Sequence, residues 1–258
     1  MTTQPHLTIL KIGGNVLADA DLLRQALALF KTYTGAAILV HGGGKRATEL
    51  LEVLGIPAQM VNGRRITDAA TLEIVTMVYA GLINKTLVAQ LQAIGCNAIG
   101  VSGADANLIQ AHKRRGGDID YGFAGDVDVV NAEGFAILLE AGMRPVCCAI
   151  THDKNGQLLN TNADTIAASI ARGMAATHRV QLHYCFEKPG VLLDVSRDDS
   201  VIADMDRVYY QQLKQEGAIH SGMLPKLDNA FEAIQNGVEQ VWIGNIDSLQ
   251  TGSATRLH

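Results

Sequence analysis

The pattern of apolar and polar positions predicts short buried strands that alternate with amphipathic helices. Residues 7–12 and 36–40 are apolar, β-branched runs of strand length, and both end at glycines. Residues 20–30 and 45–54 carry apolar side chains at helical spacing. The beginning of the chain therefore predicts strand, loop and helix, twice in succession.

The rest of the chain continues this alternation. A long helical pattern starts with Thr67 as its predicted N-cap and ends at Gly95, while residues 108–130 carry short strand signals around glycines that predict a hairpin excursion. Further helices are predicted over residues 132–141, 165–175, 205–215 and 222–236. Further strands are predicted over residues 97–101, 145–150, 180–184 and 239–243.

This order of elements predicts the α/β class, with helices around a mainly parallel central sheet. A chain of 258 residues can bury a full-sized core, and no internal repeat is visible. We therefore expect residues 1–258 to form a single domain.

Composition narrows the class of protein. Hydrophobic residues make up 48% and charged residues 18%, which is typical of a globular chain. No apolar run approaches a membrane span and no signal peptide is recognisable, so we expect a soluble cytosolic protein. The cysteines, Cys96, Cys147, Cys148 and Cys185, lack metal-site spacing and are interpreted as reduced, mostly buried thiols.

The net charge of −5 and the absence of a basic stripe argue against a nucleic-acid ligand. Because the electrostatic field of a negatively charged protein repels anions, an anionic substrate would need a few local cations and backbone amides to bind.

Two glycine loops offer such amides. Gly13-Gly14 and Gly42-Gly43-Gly44 follow predicted strands, and ligands of open parallel sheets gather at the carboxyl ends of the strands. Consecutive glycines let several N–H groups approach one phosphate. Each loop could instead be only a tight turn, and neither matches the P-loop or the Rossmann fingerprint.

Three charged residues complete the candidate site. Lys11 interrupts an apolar strand two residues before the first loop, and Lys226 lies near the start of a predicted helix, so the pair could bind one triphosphate. Asp164 could orient both lysines. The alternatives are a snorkelling edge lysine for Lys11 and a helix-capping carboxylate for Asp164.

The motifs LKIGGN, VHGGG, NGRRIT, NTNADT and SGMLPKLDNA occur in this order. Together they resemble the amino acid kinase family over nearly the whole chain, and most closely its branch that acts on N-acetylglutamate. The segments NGRRIT and NTNADT are the most discriminating, because glycine loops of this kind are similar in related kinases.

This resemblance implies an open three-layer αβα sandwich that phosphorylates the γ-carboxylate of N-acetyl-L-glutamate in arginine biosynthesis, with ATP and Mg²⁺. It implies an acyl-amino-acid-binding and dimerisation lobe at residues 1–178 and a nucleotide-binding lobe at residues 179–258. It also implies a homodimer. Composition and charge add the expectation of a cytoplasmic protein without a membrane or nucleic-acid partner, and no dedicated protein metal site is expected because hydrated Mg²⁺ needs few protein ligands.

The resemblance also assigns roles to residues. The catalytic residues it implies are Lys11, Lys226 and Asp164; the substrate-binding residues are Gly43, Gly44, Arg65 and Asn160; the nucleotide-binding residues are Gly13, Gly14 and Glu187. The planar fork of Arg65 suits the substrate's α-carboxylate. Because the γ-carboxylate is already ionised at neutral pH, no general base is needed, and we interpret His41 as a structural partner of its loop.

Two segments depart from the family pattern. Phe186-Glu187-Lys188-Pro189-Gly190 stands where a hydroxyl and an aspartate are usual, so Glu187 takes the place of the aspartate. SGADAN at residues 102–107 replaces a loop that usually contains more glycine.

The identity of the substrate stays open at the level of sequence. A succinyl group in place of acetyl would need another cation, for which the candidates are Arg64, Lys113, Arg114 and Arg115. The chain could also be a sister kinase of the family that acts on glutamate, carbamate or uridylate, or a non-catalytic ligand sensor with this fold.

Overall fold

The structure is a computed structural model that describes residues 4–61, 64–115, 119–220 and 222–258. The chain forms two compact units. Unit 1 comprises residues 1–37 and 167–258, and unit 2 comprises residues 38–166. The predicted lobes at residues 1–178 and 179–258 are defined by ligand binding, and their boundary stays a prediction.

The strands of unit 1 are mainly parallel. They are β1 His6–Ile12, β11 Arg179–Cys185, β12 Asp204–Met205, β13 Gln240–Gly244 and β14 Thr255–Leu257, in the spatial order β12-β14-β13-β11-β1. β14 runs antiparallel to β13, and the other neighbours are parallel. Their apolar residues are almost completely buried, as expected for a sheet covered on both faces.

Unit 2 combines a parallel sheet with a small closed barrel. The sheet contains β2 Ala36–His41, β8 Arg144–Cys148 and β5 Ala98–Val101 in this order. The barrel contains β6 Ile109–Lys113, β7 Ala124–Val130, β9 Ile150–His152 and β10 Leu158–Thr161. A short ribbon pairs β3 Met60–Val61 with β4 Arg64–Arg65. The predicted hairpin excursion is thus part of a barrel.

Helices flank the strands of each unit. They are α1 Gly14–Ala18, α2 Ala20–Thr32, α3 Gly44–Val53, α4 Ala69–Thr76, α5 Asn84–Ala93, α6 Ala132–Glu140, α7 Ala163–Met174, α8 Arg207–Gln215, α9 Leu224–Gln235 and α10 Ile246–Thr251, with a 3₁₀ turn at Asp105–Asn107. Helices α9 and α10 pack on β13, and α5 and α6 pack on β8. The predicted fold class, mainly parallel strands flanked by helices, is confirmed.

A single long helix runs through α4, a π-helical segment Met77–Ile83, and α5. Its N-cap is Asp68, whose carboxylate accepts the Thr71 N–H at 2.8 Å. The predicted cap, Thr67, is wrong because its backbone is paired instead: the Thr67 N–H donates to the Tyr121 carbonyl and the Phe123 N–H donates to the Thr67 carbonyl.

The same helix corrects a second expectation. Ala69–Ala93 is long and apolar enough to cross a membrane by length and composition alone, so the expectation that no apolar stretch approaches a span is wrong. Its side chains nevertheless contribute to the core of unit 2, since Val75, Val78 and Leu87 are at most 1% exposed. The buried amide of Asn84 is hydrogen-bonded within this unit.

The four cysteines are all free and buried, which confirms their interpretation as reduced thiols. Burial raises the pKa of Cys185 to about 12, and the nearby Lys11 opposes this shift. The thiol of Cys185 is therefore protonated at neutral pH.

Candidate active site

Unit 2 contains a cavity of about 180 Å³ at the carboxyl end of β2. Its walls come from the glycine loop, the β3–β4 ribbon, the long helix and the barrel. The lining residues are Gly42, Gly43, Gly44, Met60, Arg64, Arg65, Tyr79, Ala124, Ala149, Asn160, Thr161, Asn162 and Ala163. Four of the predicted site residues, Gly43, Gly44, Arg65 and Asn160, are thus brought together here.

Gly43 has no space for a side chain. A Cβ at this position would lie 2.7 Å from Cδ1 of Tyr79 and 2.6 Å from Cδ1 of Ile83, so only glycine lets the loop lie against the long helix. The following helix α3 begins at Gly44 and has no side-chain N-cap. Its first amides are therefore available to an anion in the cavity.

His41 connects this loop to the long helix through hydrogen bonds. The ring is completely buried, with Nδ1 2.8 Å from the Gly42 carbonyl and Nε2 3.1 Å from Nδ2 of Asn84. A carbonyl only accepts, so Nδ1 carries the proton, and Nε2 accepts from the Asn84 amide. Burial lowers the pKa of His41 to about 4, although the hydrogen bond to Gly42 opposes the shift. His41 is a neutral structural partner of the loop, as predicted.

This burial gives a pH dependence of stability. His183, buried in unit 1, has its pKa lowered to about 4 by burial and by His6. The unfolded chain protonates histidine near pH 6.5, so the folded state loses stability as pH falls from about 6.5 towards 4. As the pH is lowered from 8 to 5, we expect His41 and His183 each to reduce the free energy of unfolding by on the order of 2 kcal/mol. Urea titration at the two pH values measures this change.

The variant His41→Gln isolates the contribution of one ring. Its free energy of unfolding should fall by about half as much as that of the unmodified protein over the same pH interval. An equal fall in both proteins would show that His41 is not buried in its neutral form.

Arg65 is a cation of the cavity wall and is only 7% exposed. Its Nη2 donates to the Gly44 carbonyl at 2.9 Å and to Oγ1 of Thr48 at 2.7 Å. Its buried Nη1 has no hydrogen-bond partner among the residues that the structure describes. A buried donor on a charged group is costly unless a ligand satisfies it, so this fork is prepared for an anion.

Tyr79 closes the same wall, and sequence patterns give no indication of its role. Burial raises the pKa of its hydroxyl, while the neighbouring Arg65 guanidinium opposes the shift. Its position depends on how the π-helical segment packs against the glycine loop, and no local motif encodes that contact.

Asn160 and Asn162 have different functions in the structure. The Asn160 amide donates to Oγ1 of Thr67 at 3.0 Å, which fixes it in the cavity wall. The side-chain oxygen of Asn162 accepts the backbone N–H groups of Asp164 and Thr165 and caps α7. The cap is therefore Asn162, and Asp164 lies in the first turn of the helix. The role predicted for Asp164, organising two lysines, stays a prediction.

Unit 1 brings the two predicted lysines to one tyrosine. Lys11 is in register with Tyr184 on the neighbouring strand, so both side chains project to the same face of the sheet. The Nζ of Lys226, in the first turn of α9, lies 4.7 Å from the centre of the Tyr184 ring. The tyrosine itself is 1% exposed. Two cations therefore share one face of the unit-1 strands.

A second cavity, of about 320 Å³, lies next to this face in unit 1. Its walls are mixed, with apolar side chains that suit a flat ring and polar side chains at the end of β11. The lining residues are Phe186, Glu187, Lys188, Gly190, Val191, Leu192, Val195, Ile219, His220, Gly222, Met223 and Lys226. The predicted residues Glu187 and Lys226 thus line one cavity.

The unusual Phe186–Gly190 segment has its own internal contacts. The Lys188 ammonium lies 2.8 Å from Oδ1 of Asp198. The other lysine that lines this cavity, Lys226, lies over the Tyr184 ring. A Cβ on Gly190 would lie 2.6 Å from Oγ1 of Thr255 and from Cγ1 of Val201. Glycine is therefore required where the segment turns back towards the sheet.

The first glycine loop continues directly from β1. The Gly13 N–H donates to the Cys185 carbonyl at 2.9 Å, which ties the loop to the end of β11. Gly14 begins α1, and apart from its chain neighbours and its own helix backbone no described residue has an atom within 4 Å of where its Cβ would be. The backbone at Gly14 is thus accessible to a ligand.

The comparisons with known proteins agree with this architecture. Residues 6–245 match the sequence profile of the amino acid kinase family. An acetylglutamate kinase of Parabacteroides distasonis is 50% identical over 97% of this chain and 98% of its own length. One of Cytophaga hutchinsonii is 52% identical over 94% of this chain and 92% of its own length.

The fold has solved counterparts. A carbamate kinase from Giardia lamblia bound to AMP-PNP superimposes with a TM-score of 0.68, covering 99% of this chain and 98% of its own chain. The two sequences are 12% identical, so this likeness concerns the fold alone.

Proposed function

This chain belongs to the amino acid kinase family, and we propose that it transfers the γ-phosphoryl group of ATP to the γ-carboxylate of N-acetyl-L-glutamate. The product is an acyl phosphate of the kind used in arginine biosynthesis. The relatives named acetylglutamate kinase, at 50% and 52% identity over nearly full length, support this activity.

The buried, unpartnered Nη1 of Arg65 is the observation that carries the assignment of the acyl-amino-acid site. A substrate α-carboxylate placed there satisfies this donor and gains a charge-assisted hydrogen bond. Asn160, held by Thr67, contributes a second polar group on the same cavity wall. We therefore assign the substrate to the cavity of unit 2.

We assign the nucleotide to unit 1. Lys11 and Lys226 share the face around Tyr184, and the adjoining cavity has the apolar walls that an adenine ring needs. A transferred phosphoryl group spreads negative charge over its equatorial oxygens, which ammonium groups and backbone amides stabilise. The glycine-loop amides, the two lysines and Asp164 remain proposed participants.

The reaction needs positioning more than proton transfer. An ionised γ-carboxylate oxygen forms a bond to the γ-phosphorus while the bond from that phosphorus to the β,γ-bridging oxygen breaks, and ADP leaves. No proton moves from the nucleophile, since a glutamate side-chain carboxyl group ordinarily has a pKa of about 4.3. The neutral, loop-bound state of His41 is consistent with chemistry that uses no histidine base.

Mg²⁺ is part of the proposal as the companion of ATP. The part of the chain that the structure describes holds no group of three or more His, Cys, Asp or Glu side chains suited to a metal ion. Magnesium in such sites is bound largely by phosphate oxygens and water. In this proposal Mg²⁺ enters the site together with ATP.

We further propose that the protein is a cytoplasmic homodimer.

The decisive experiment is turnover of ATP with N-acetyl-L-glutamate and with free L-glutamate, with hydroxylamine present to trap the acyl phosphate. We expect hydroxamate with the acylated substrate and much less with the free amino acid, whose ammonium group places a positive charge near Arg65. Equal or greater turnover of free glutamate would favour a sister kinase. Ligand binding without any ADP release would favour a sensor.

A further inference from the structure

The cavity of unit 2 contains a second arginine, next to Arg65 in sequence but directed at different elements. On the β3–β4 ribbon, Arg64 pairs with Val61 and Arg65 pairs with Met60. Consecutive residues of a strand project to opposite sides. Arg65 accordingly contacts the start of α3, while the electrostatic neighbours of Arg64 lie on and beside the barrel strands β6 and β7.

The groups around Arg64 do not fully balance its positive charge, so an anion beside it would be stabilised. The carboxylate that acts electrostatically on Arg64, Asp126, already accepts a hydrogen bond from Nη1 of Arg114 at 2.6 Å. Burial and the Arg114 guanidinium lower the pKa of Arg64, and Asp126 only partly opposes this. The half-buried guanidinium donates no hydrogen bond to a described residue, so a purely structural role in holding the ribbon is not supported.

No carboxylate lines this cavity among the described residues, whereas two guanidinium groups do. The proposed substrate brings two carboxylates. Its α-carboxylate is assigned to Arg65, and its γ-carboxylate receives the phosphoryl group. An acetyl group carries no charge, and so offers nothing to Arg64.

We propose that Arg64 is a specificity-determining residue that binds a carboxylate at the end of the substrate's acyl chain, so that the cavity accepts N-acylglutamates of the succinyl type. This inference rests on the proposed function and extends its substrate class from the acetyl group to longer acyl groups that end in a carboxylate. The alanines at positions 124, 149 and 163 in the cavity wall leave room for a chain longer than acetyl.

The test compares N-succinyl-L-glutamate with N-acetyl-L-glutamate as substrates of the full-length protein. We expect Arg64→Leu to lower the ratio of kcat/KM for the succinyl over the acetyl substrate by about tenfold, the loss of one charge-assisted hydrogen bond. Arg64→Lys should retain part of this ratio because it keeps the charge. Arg115→Leu is the matched control, since Arg115 is exposed, follows the end of β6 and does not line the cavity.

Calorimetric binding of both acylglutamates, without nucleotide, separates this inference from the proposed reaction. If neither compound is phosphorylated but Arg64→Leu selectively weakens binding of the succinyl compound, the specificity stands and the proposed reaction fails. If Arg64→Leu changes both compounds equally or changes neither, the inference is overturned. If the unmodified protein binds neither compound, both proposals are overturned.

Discussion

Replacing Lys226 by alanine is expected to lower kcat by about 10² to 10³ with saturating ATP and N-acetyl-L-glutamate, the usual effect of removing one group that stabilises developing charge. The Lys226 ammonium lies over the buried Tyr184 ring, which is in register with Lys11. Its loss leaves the proposed phosphoryl site with half of its lysine charge. Steady-state release of ADP measures the effect.

Lys214→Ala is the matched control for this loss of charge. Lys214 also belongs to unit 1, but its ammonium is bound to Asp228 at 2.8 Å and it does not line the cavity. We expect its kcat to stay close to that of the unmodified protein. If both variants lost activity to the same extent, or if Lys226→Ala raised only the KM for ATP, Lys226 would not act in the transition state.

Replacing Arg65 by lysine is expected to raise the KM for N-acetyl-L-glutamate by about 100-fold, with a much smaller change in the KM for ATP. Lysine retains the positive charge but loses the planar fork. It cannot hold the Gly44 carbonyl and the Thr48 hydroxyl while also presenting a buried donor to the substrate. Initial rates over both substrate concentrations measure the two constants.

The melting temperature of Arg65→Lys, measured with and without acylglutamate, is the second measurement on this variant. Because Arg65 also ties the β3–β4 ribbon to α3, some loss of stability is expected without ligand. Stabilisation by the acylglutamate should shrink in the variant, whereas stabilisation by ATP should persist. A larger rise in the KM for ATP than for the acylglutamate would refute the assignment of Arg65.

Much of the fold could be predicted because local patterns and tertiary contacts agree. The apolar runs that end at Ile12 and at His41 are buried strands, and glycines follow both. Parallel strands buried on both faces give continuous apolar runs, which are easy to recognise in a sequence. The predicted helices occur with their ends shifted by one or two residues, since capping depends on backbone context.

The barrel and the walls of the site could not be predicted in this way. Closure of the barrel depends on pairs distant in sequence, such as Asn160 with Ala124 and Gln110 with His152, and no local pattern encodes them. Thr67 has the composition of an N-cap, but its pairing with the segment around Gly122 makes Asp68 the cap. The sequence patterns also do not indicate the short strand β14, which lies between β12 and β13 and runs antiparallel to β13.

Among the predicted site residues, those in and beside the glycine loops are the easiest to propose from a sequence, because the loops indicate where a ligand's charge can approach the backbone. Arg64 illustrates the opposite case. Its sequence position makes it only one of four candidate cations for a longer acyl chain, whereas its half-buried place in the cavity wall depends on the β3–β4 ribbon, which no local pattern encodes.

The π-helical segment Met77–Ile83 lets one helix support the glycine loop at two points. Tyr79 lies against Gly43, and Asn84, five residues later, binds His41. In a regular α-helix, residues five apart differ by roughly 140° around the axis, so only one of them could face the loop. The wider turn, with its i→i+5 bonds, brings both to one side. Removing a single residue from this stretch would rotate one support away, even though no ligand-binding residue had been deleted.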